Sequence, residues 1–137
     1  MKLEVKDMAY QTSENIVYRC RYHVVWCTKY RRKILSPPYV DRLRESLTEM
    51  SENRPWEIYN MDVLPDHVHL DISCDPQFGI LECVKRLKNE TAKTLRNEFP
   101  ELKSRVPSIW TREAMITSVG TVSQGDISKY LESRARQ

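Results

Sequence analysis

The sequence predicts an α+β fold in which two helices cover one face of an antiparallel sheet and a further helix follows at the C-terminus. Three observations predict it: short runs of β-branched and aromatic residues, longer segments with apolar residues at helical spacing, and turn residues between the two kinds of segment. The chain has 137 residues, the size of one domain. We therefore expect a single domain over residues 1–137, with residues 1–15 as a flexible arm.

The first strand and the first helix are predicted from composition and from spacing. Residues 17–28 are rich in β-branched and aromatic side chains, as expected of a buried strand. A basic turn follows, and Pro37 and Pro38 then mark the first turn of a helix. Over residues 39–50 the apolar side chains recur every three or four residues, which predicts that one face of this helix packs against the sheet.

A hairpin and a long helix come next. Residues 56–64 and residues 67–74 read as strands separated by the break at Pro65 and Asp66, and they are expected to pair antiparallel across this short connection. Residues 80–99 again carry apolar side chains at helical spacing. A second helix on the sheet is therefore expected after the hairpin.

The last strand and the last helix follow residue 108. Residues 109–119 predict the fourth strand, and Ser123 with Asp126 resembles the capping box at the start of a helix. The first six elements then have the order of the split β-α-β, ferredoxin-like arrangement, in which both helices cover one face of the sheet. The other face is left available for a ligand.

Composition excludes several classes of protein. No apolar run approaches the roughly 20 residues of a membrane span, so no membrane association is expected and the cytoplasm is the predicted compartment. Charges of both signs at the N-terminus argue against a signal peptide. Three glycines are few for a glycine-rich nucleotide loop, and the four cysteines lack the C-x-x-C spacing of a zinc site.

Basic residues are clustered although the net charge is only +3. One cluster is the turn at residues 29–33, and the other extends over residues 84–105. Such clusters favour binding to a polyanion such as nucleic acid. Solvated helix and loop surfaces with no ligand are the alternative interpretation.

Two of the three histidines, His67 and His69, flank one apolar residue in the third predicted strand. Because side chains alternate along a strand, both rings are expected on the helix-free face, with Cβ atoms about 7 Å apart and Val68 in the core. Two such imidazoles can bind one cation, and Asp71, with the same parity, is a candidate third ligand. A pair of surface histidines is the alternative, and His23 is expected to be a core residue.

The last predicted helix carries Tyr130 at helical spacing with Ile127, Leu131 and Arg134. A tyrosine in such a position is usually a packing residue. A phenol beside cationic side chains and a metal-polarised phosphate can instead act as a nucleophile. The combination with the histidine pair suggests phosphoryl transfer from nucleic acid to tyrosine.

Four segments, in the same order along the chain, resemble a known family: YHVVWCTKYRRKIL, LPDHVHL, VKRLKNETAKTLRNEFP and ISKYLES. Over residues 17–133 the sequence is similar to the TnpA-type single-tyrosine transposases of the HUH superfamily, which serve small insertion sequences that move as single-stranded DNA. The superfamily is named after a motif of histidine, hydrophobic residue and histidine. His67-Val68-His69 fits this motif.

The resemblance implies an enzyme that cleaves and rejoins single-stranded DNA through a 5′-phosphotyrosine link at Tyr130 and recognises hairpins at the element ends. It also implies that His67 and His69 bind Mg²⁺ or Mn²⁺, and that the protein is a homodimer whose active sites are shared between subunits. The candidate contacts to DNA phosphates are basic residues of the two clusters and of the last helix: Lys29, Arg31, Arg32, Lys33, Lys85, Arg86, Lys88 and Arg134.

Arg134 departs from the family pattern, which commonly has a glutamine here that completes the metal site. Because arginine cannot bind a cation, Asp71 could replace this ligand, Arg134 could bind the phosphate, or the enzyme could be impaired.

Two further functions stay open. One is a non-catalytic ferredoxin-like module that binds DNA or RNA hairpins, and the other is a metal-dependent hydrolase whose histidines activate water.

Overall fold

The computed structural model describes residues 2–5, 8–13, 15–105, 108–120 and 124–135. It divides the chain into two compact units, which are described separately. The larger unit is Cys20–Ser118, and the smaller combines Met1–Arg19 with Val119–Gln137. The assignment of the whole chain to a single domain stays a prediction.

The described elements begin with a group of three strands and continue with four more strands and four helices. In chain order they are β1 (Lys2–Val5), β2 (Met8–Ser13), β3 (Ile16–Tyr18), β4 (Arg21–Cys27), a 3₁₀ turn (Lys29–Arg31), α1 (Tyr39–Glu49), β5 (Trp56–Leu64), β6 (His67–Cys74), α2 (Ile80–Glu98), α3 (Glu101–Arg105), β7 (Met115–Ser118) and α4 (Gln124–Ala135). None of the described helices is long and apolar enough to cross a membrane.

The sheet of the larger unit confirms the predicted fold class. Its strands lie in the order β5-β6-β4-β7, and every neighbouring pair is antiparallel. The connections β4-α1-β5 and β6-α2-β7 each join two strands that have one other strand between them, which is the split β-α-β arrangement. α1 and α2 contact each other and contribute to one common core with the sheet.

Alternation along β6 decides which face of the sheet is covered by the helices. Val68, Leu70 and Ile72 are fully buried and belong to the same core as the buried residues of β4, Val24 and Trp26. The helices contribute apolar residues at helical spacing, as predicted: Leu43 and Leu47 from α1, and Val84, Leu87 and Leu95 from α2. The residues between the core positions of β6 are therefore left on the helix-free face.

Two predicted strands differ from the observed ones. The strand expected over residues 17–28 is two strands, because Ile16–Tyr18 pairs with β2 in one sheet whereas Arg21–Cys27 pairs with β6 and β7 in the other. The strand expected over residues 109–119 is shorter. Only Met115–Ser118 pairs with β4, and an isolated bridge from Thr28 to Trp110 precedes it.

The described part of the N-terminal segment forms strands that the sequence analysis did not predict. β1 and β2 pair antiparallel, and β2 pairs antiparallel with β3, so the three make a small sheet. The flexibility of residues 1–15 stays a prediction, because backbone pairing does not measure motion. At the other end of the chain α4 spans Gln124–Ala135, and its expected N-cap, Ser123, lies outside the described residues.

Candidate active site and DNA-binding residues

Both predicted metal ligands lie on the helix-free face of the sheet. His67 and His69 are half-buried on β6, and Val68 between them is fully buried. The strand register sets Asp62 of β5 directly opposite His69. Asp62 is exposed and shares this face, and the sequence alone could not place it there because the pairing register is a tertiary property.

The orientation of His67 is set by the residue before it. Oδ1 of Asp66 lies 2.8 Å from Nδ1 of His67, and Nη2 of Arg31 donates a hydrogen bond to Oδ2 of Asp66 at 3.0 Å. The contact with His67, followed by the one with Arg31, holds the pKa of the Asp66 carboxyl below its usual range. Because a carboxylate only accepts, Nδ1 carries the proton and the Nε2 lone pair of His67 is the one available to a cation. From the sequence, only a role in the turn is expected of Asp66.

The third histidine also lies on the helix-free face. His23 alternates with the buried Val24, and its Nδ1 is 3.3 Å from Nε2 of His69, with the ring centroids 5.3 Å apart. The prediction of a core position was wrong, because an apolar strand that is buried on one face only still exposes every second residue. A cation bound to Nε2 of His69 would have to replace this contact with His23.

Asp71 has the predicted parity, but Arg21 holds its carboxylate. Nε and Nη2 of Arg21 donate to Oδ1 and Oδ2 of Asp71 at 2.8 and 2.7 Å, a bidentate pair. This hydrogen bonding lowers the pKa of the Asp71 carboxyl below its usual value. Within the residues that the structure describes, no three His, Cys, Asp or Glu side chains lie close enough together to hold a metal ion. Asp71 as a ligand stays a prediction, and its carboxylate would have to bind the cation beside Arg21 or release Arg21.

The predicted nucleophile belongs to the smaller unit. Tyr130 and Arg134 are both in α4, four residues apart, and residues at this spacing lie on the same side of a helix. The side chains of both lie outside the described residues. Their chemical roles therefore stay predictions.

Comparison with known proteins identifies the family. The family model described as "Transposase IS200 like" matches residues 16–134. The chain belongs to this transposase family. It is 35% identical to the ISDra2 transposase TnpA of Deinococcus radiodurans over 120 residues, 86% of each protein. It is 24% identical to the transposase for insertion sequence element IS200 of Salmonella typhimurium over 105 residues, 75% of this chain and 69% of the relative.

Two solved structures have the same fold as this transposase. One is the crystal structure of a Deinococcus radiodurans protein described as a transposase, with 30% identity and a TM-score of 0.73 over 90% of this chain and 96% of that one. The other is a REP-associated tyrosine transposase bound to a REP hairpin, with 18% identity and a TM-score of 0.52 over 89% of this chain and 68% of that one. The resemblance found in the sequence is thus confirmed at the level of family and fold.

The Arg21–Asp71 pair should make the stability of the transposase decrease as the pH is lowered into the acidic range. Because the folded-state pKa of Asp71 is lowered, the pair stabilises the fold above about pH 4 and loses this contribution as the pH falls through the folded value. We expect Asp71→Asn to lower the free energy of unfolding at pH 7 by about 1 kcal/mol, since both side chains are partly exposed. The difference from wild type should shrink as urea titrations are repeated towards pH 2.

Asp62→Asn is the matched control for this prediction. It removes an exposed carboxylate from the same face, and among the described residues Asp62 forms no ion pair. Its effect at pH 7 should be smaller than that of Asp71→Asn. An Asp71→Asn effect of equal size at pH 7 and pH 2 would contradict the ionic origin of the stabilisation.

The first basic cluster lies beside the histidine pair. Lys29–Arg31 form the 3₁₀ turn after β4, and the side chains of Arg31, Arg32 and Lys33 are exposed. Arg31 reaches Asp66, which in turn contacts His67. The structure therefore brings this predicted DNA-binding cluster to the candidate metal ligands through two hydrogen bonds.

The second basic cluster lines a cleft between α2 and the segment before β7. The cleft has a volume of about 310 Å³, and its basic lining residues are Lys85, Lys88, Arg96 and Arg112. Arg96 and Arg112 were not among the predicted contacts, because only the packing of this segment against α2 brings them to the cleft. Arg86 lies on the same helix, where it pairs with Glu82 at 3.3 Å.

The ammonium group of Lys88, a predicted phosphate contact, is hydrogen-bonded to backbone carbonyls in the structure. Its Nζ donates to the carbonyl oxygens of Thr111, Arg112 and Glu113 at 2.6, 3.1 and 3.2 Å. An ammonium group has three hydrogens, so these carbonyls match its whole donor capacity. Burial lowers the pKa of Lys88 below its usual value. In the structure Lys88 holds the segment before β7, and its contact with DNA stays a prediction.

Loss of this ammonium group should destabilise the larger unit. We expect Lys88→Met to lower the free energy of unfolding by about 1–3 kcal/mol, because three carbonyls lose their donor while the apolar stem is kept. Lys85→Met, an exposed position one turn earlier on α2, is the control and should change it by less than about 0.5 kcal/mol. Urea denaturation measures both, and equal effects would contradict the structural role of Lys88.

Proposed function

We propose that this transposase cleaves and rejoins single-stranded DNA through a 5′-phosphotyrosine link at Tyr130, assisted by a divalent metal. The observation that carries the proposal is the histidine pair on the helix-free face, where Asp66 orients His67 and a basic turn lies next to it. Membership of a transposase family supports DNA cleavage.

The residues of the site fit a divalent cation held by two imidazole nitrogens. Nδ1 of His67 is used by Asp66, which leaves Nε2 of His67 for the cation, and His69 supplies the second nitrogen. Mg²⁺ or Mn²⁺ is proposed, with Asp71 as the candidate third protein ligand in place of the family's glutamine. When bound, the cation would act as a Lewis acid on the phosphate that is cleaved.

The proposed reaction replaces one phosphodiester bond with another and so conserves its energy. The phenol oxygen of Tyr130 attacks the phosphorus and loses its proton, the bond from phosphorus to the 3′ oxygen breaks, and the released oxygen takes up a proton to become a 3′-OH. Attack by a 3′-OH on the phosphotyrosine reverses these steps, so rejoining the DNA needs no ATP as an energy source. Arg134, one helical turn after Tyr130, would bind the phosphate oxygens.

Hairpin DNA is the proposed partner, bound by the two basic clusters. A solved transposase of the same fold was bound to a REP hairpin, which supports this choice. We also propose a homodimer with shared active sites, in which Tyr130 of one subunit serves the histidines of the other. The tyrosine and the histidines belong to different compact units of the chain, which is compatible with such an exchange.

An adduct assay tests the proposed function. Labelled single-stranded hairpin DNA taken from the sequences that flank the gene is incubated with the protein and Mn²⁺, and the products are separated in SDS. We expect an SDS-resistant protein–DNA adduct that chelation of the metal prevents. Cleavage without an adduct would favour the hydrolase, in which the histidines activate water.

A non-catalytic hairpin-binding module is the second candidate function. The observation that favours it is Arg134, which stands where the family commonly has a glutamine metal ligand. Tight binding of the flanking hairpins with no adduct under any metal would establish this alternative and reject catalysis.

A further inference from the structure

The 3₁₀ turn after β4 holds an exposed tyrosine in an unfavourable backbone conformation. Tyr30 is 71% exposed and has φ 59° and ψ 19°. The next residue, Arg31, has φ 51°. Left-handed conformations are unfavourable for residues with a side chain, and they persist only where the surrounding structure fixes them.

Hydrogen bonds from Thr28 and Lys29 fix the conformation of this turn. The fully buried Thr28 donates through Oγ1 to the carbonyl of Arg32 at 2.7 Å, and its N–H donates to the carbonyl of Asp66 at 3.0 Å. The N–H of Lys29 donates to the carbonyl of Ile109 at 2.8 Å. The ring of Tyr30 adds little burial to these contacts, so the turn presents it to solvent and does not use it for packing.

Cationic side chains lie close to this ring. Nζ of Lys29 is 5.3 Å and Cζ of Arg32 is 5.7 Å from the Tyr30 ring centroid. Both cations lie over the ring, and an exposed aromatic ring can stack on an unpaired base when such cations turn to the phosphates on either side of it. The next side chain, Arg31, connects the same turn to His67 through Asp66.

We propose that Tyr30 is a stacking platform for one unpaired nucleobase of the DNA strand close to the cleaved phosphate, with Lys29 and Arg32 binding the flanking phosphates. The proposal rests on the proposed function, because it assumes that single-stranded DNA reaches the histidine face. It adds a base-binding subsite to the basic cluster at residues 29–33, whose charge alone predicts only phosphate contacts.

Two substitutions at the same position separate stacking from size. Tyr30→Phe keeps the aromatic ring, whereas Tyr30→Leu keeps only the apolar bulk, and both must adopt the same left-handed conformation. Binding is measured by fluorescence anisotropy with hairpin DNA that has a single-stranded flank. EDTA is present, so that the metal is removed and binding is measured without cleavage. The flank carries 2-aminopurine at one position after another.

We expect wild type and Tyr30→Phe to quench 2-aminopurine at one particular position. Tyr30→Leu should not quench there and should bind about 5- to 150-fold more weakly, the range for loss of one stacked base. An abasic site at that position should weaken binding to wild type by a similar factor. This second measurement leaves the protein unchanged and does not depend on the folding of a variant.

Three outcomes would overturn the platform. If wild type binds the DNA but Tyr30→Leu binds equally well and no abasic site weakens binding, the platform alone is rejected and the proposed function stands. If Tyr30→Leu weakens self-association of the chain and leaves DNA binding unchanged, the ring belongs to a protein interface. If wild type binds no single-stranded DNA at all, the platform and the proposed function are both rejected.

Discussion

Tyr130→Phe should abolish the covalent protein–DNA adduct, a loss on the order of 10³-fold or more. The substitution removes the single oxygen that is proposed to attack the phosphorus and leaves the ring in place. DNA binding should therefore change by less than about twofold, because a hydroxyl lost from one contact among many has a small effect on affinity. Adduct is measured by SDS gel electrophoresis and binding by fluorescence anisotropy.

The position of the label tests the polarity of the proposed link. A 5′-phosphotyrosine keeps the downstream fragment on the protein, so DNA labelled at its 3′ end should appear in the adduct. DNA labelled at its 5′ end should be released as a shorter strand whose 3′-OH a polymerase can extend. The opposite distribution of label would contradict the proposed chemistry.

Tyr59→Phe is the matched control for Tyr130→Phe. Tyr59 is an exposed tyrosine of the larger unit, and its hydroxyl donates a hydrogen bond to Ser73 at 3.2 Å. Its substitution should leave the adduct yield unchanged. If the adduct persists in Tyr130→Phe and is lost in Tyr59→Phe, Tyr130 is not the nucleophile.

Removal of either histidine proposed to bind the metal should have the second large effect. We expect His67→Ala or His69→Ala to lower the affinity for Mn²⁺ by at least about 100-fold and to remove the adduct. Asp66→Ala should lower the Mn²⁺ affinity by about 10- to 100-fold, because His67 loses the partner that fixes its ring and its tautomer. Calorimetric titration with Mn²⁺ measures the affinity without reference to activity.

The role of Asp66 can be separated from a general loss of structure. Asp41→Ala removes an exposed carboxylate from the first turn of α1 and should leave the Mn²⁺ affinity unchanged. In the neutral His67 ring of the wild type, ¹⁵N NMR should show the proton on Nδ1 and not on Nε2, and Asp66→Ala should lose this preference. Wild-type affinity in Asp66→Ala would reject the orienting role, and wild-type affinity in both histidine variants would reject the metal site.

Strand parity made the central part of the fold and of the site predictable. The bounds of β5 and β6 agree with the sequence analysis, because Pro65 and Asp66 mark the turn and apolar residues mark the strands on either side. Parity also placed His67 and His69 on one face correctly. It applies equally to His23: the apolar character of its neighbours predicts a core position, which is wrong, whereas their alternation indicates the helix-free face.

Features that depend on pairing between distant segments could not be predicted in the same way. The sequence does not say that residues 16–18 pair with β2 while residues 21–27 pair with β6. Nor does it say that Arg21 reaches Asp71, since a hydrogen bond between strands requires both the register and the rotamer. The partners of Lys88 were not predictable for the same reason. The sequence shows its charge, but the three carbonyl oxygens that accept its hydrogen bonds belong to a segment more than 20 residues away.

The position of β6 inside the sheet has a consequence for how the site can respond to a ligand. β6 is hydrogen-bonded to β5 on one side and to β4 on the other along its length, so the strand that carries the histidines cannot fray without breaking two ladders. Amide hydrogen exchange there should require opening of the larger unit. The backbone that carries the imidazoles is thus fixed before any ligand arrives, and a ligand can rearrange this face only through side chains such as those of His23 and Arg21.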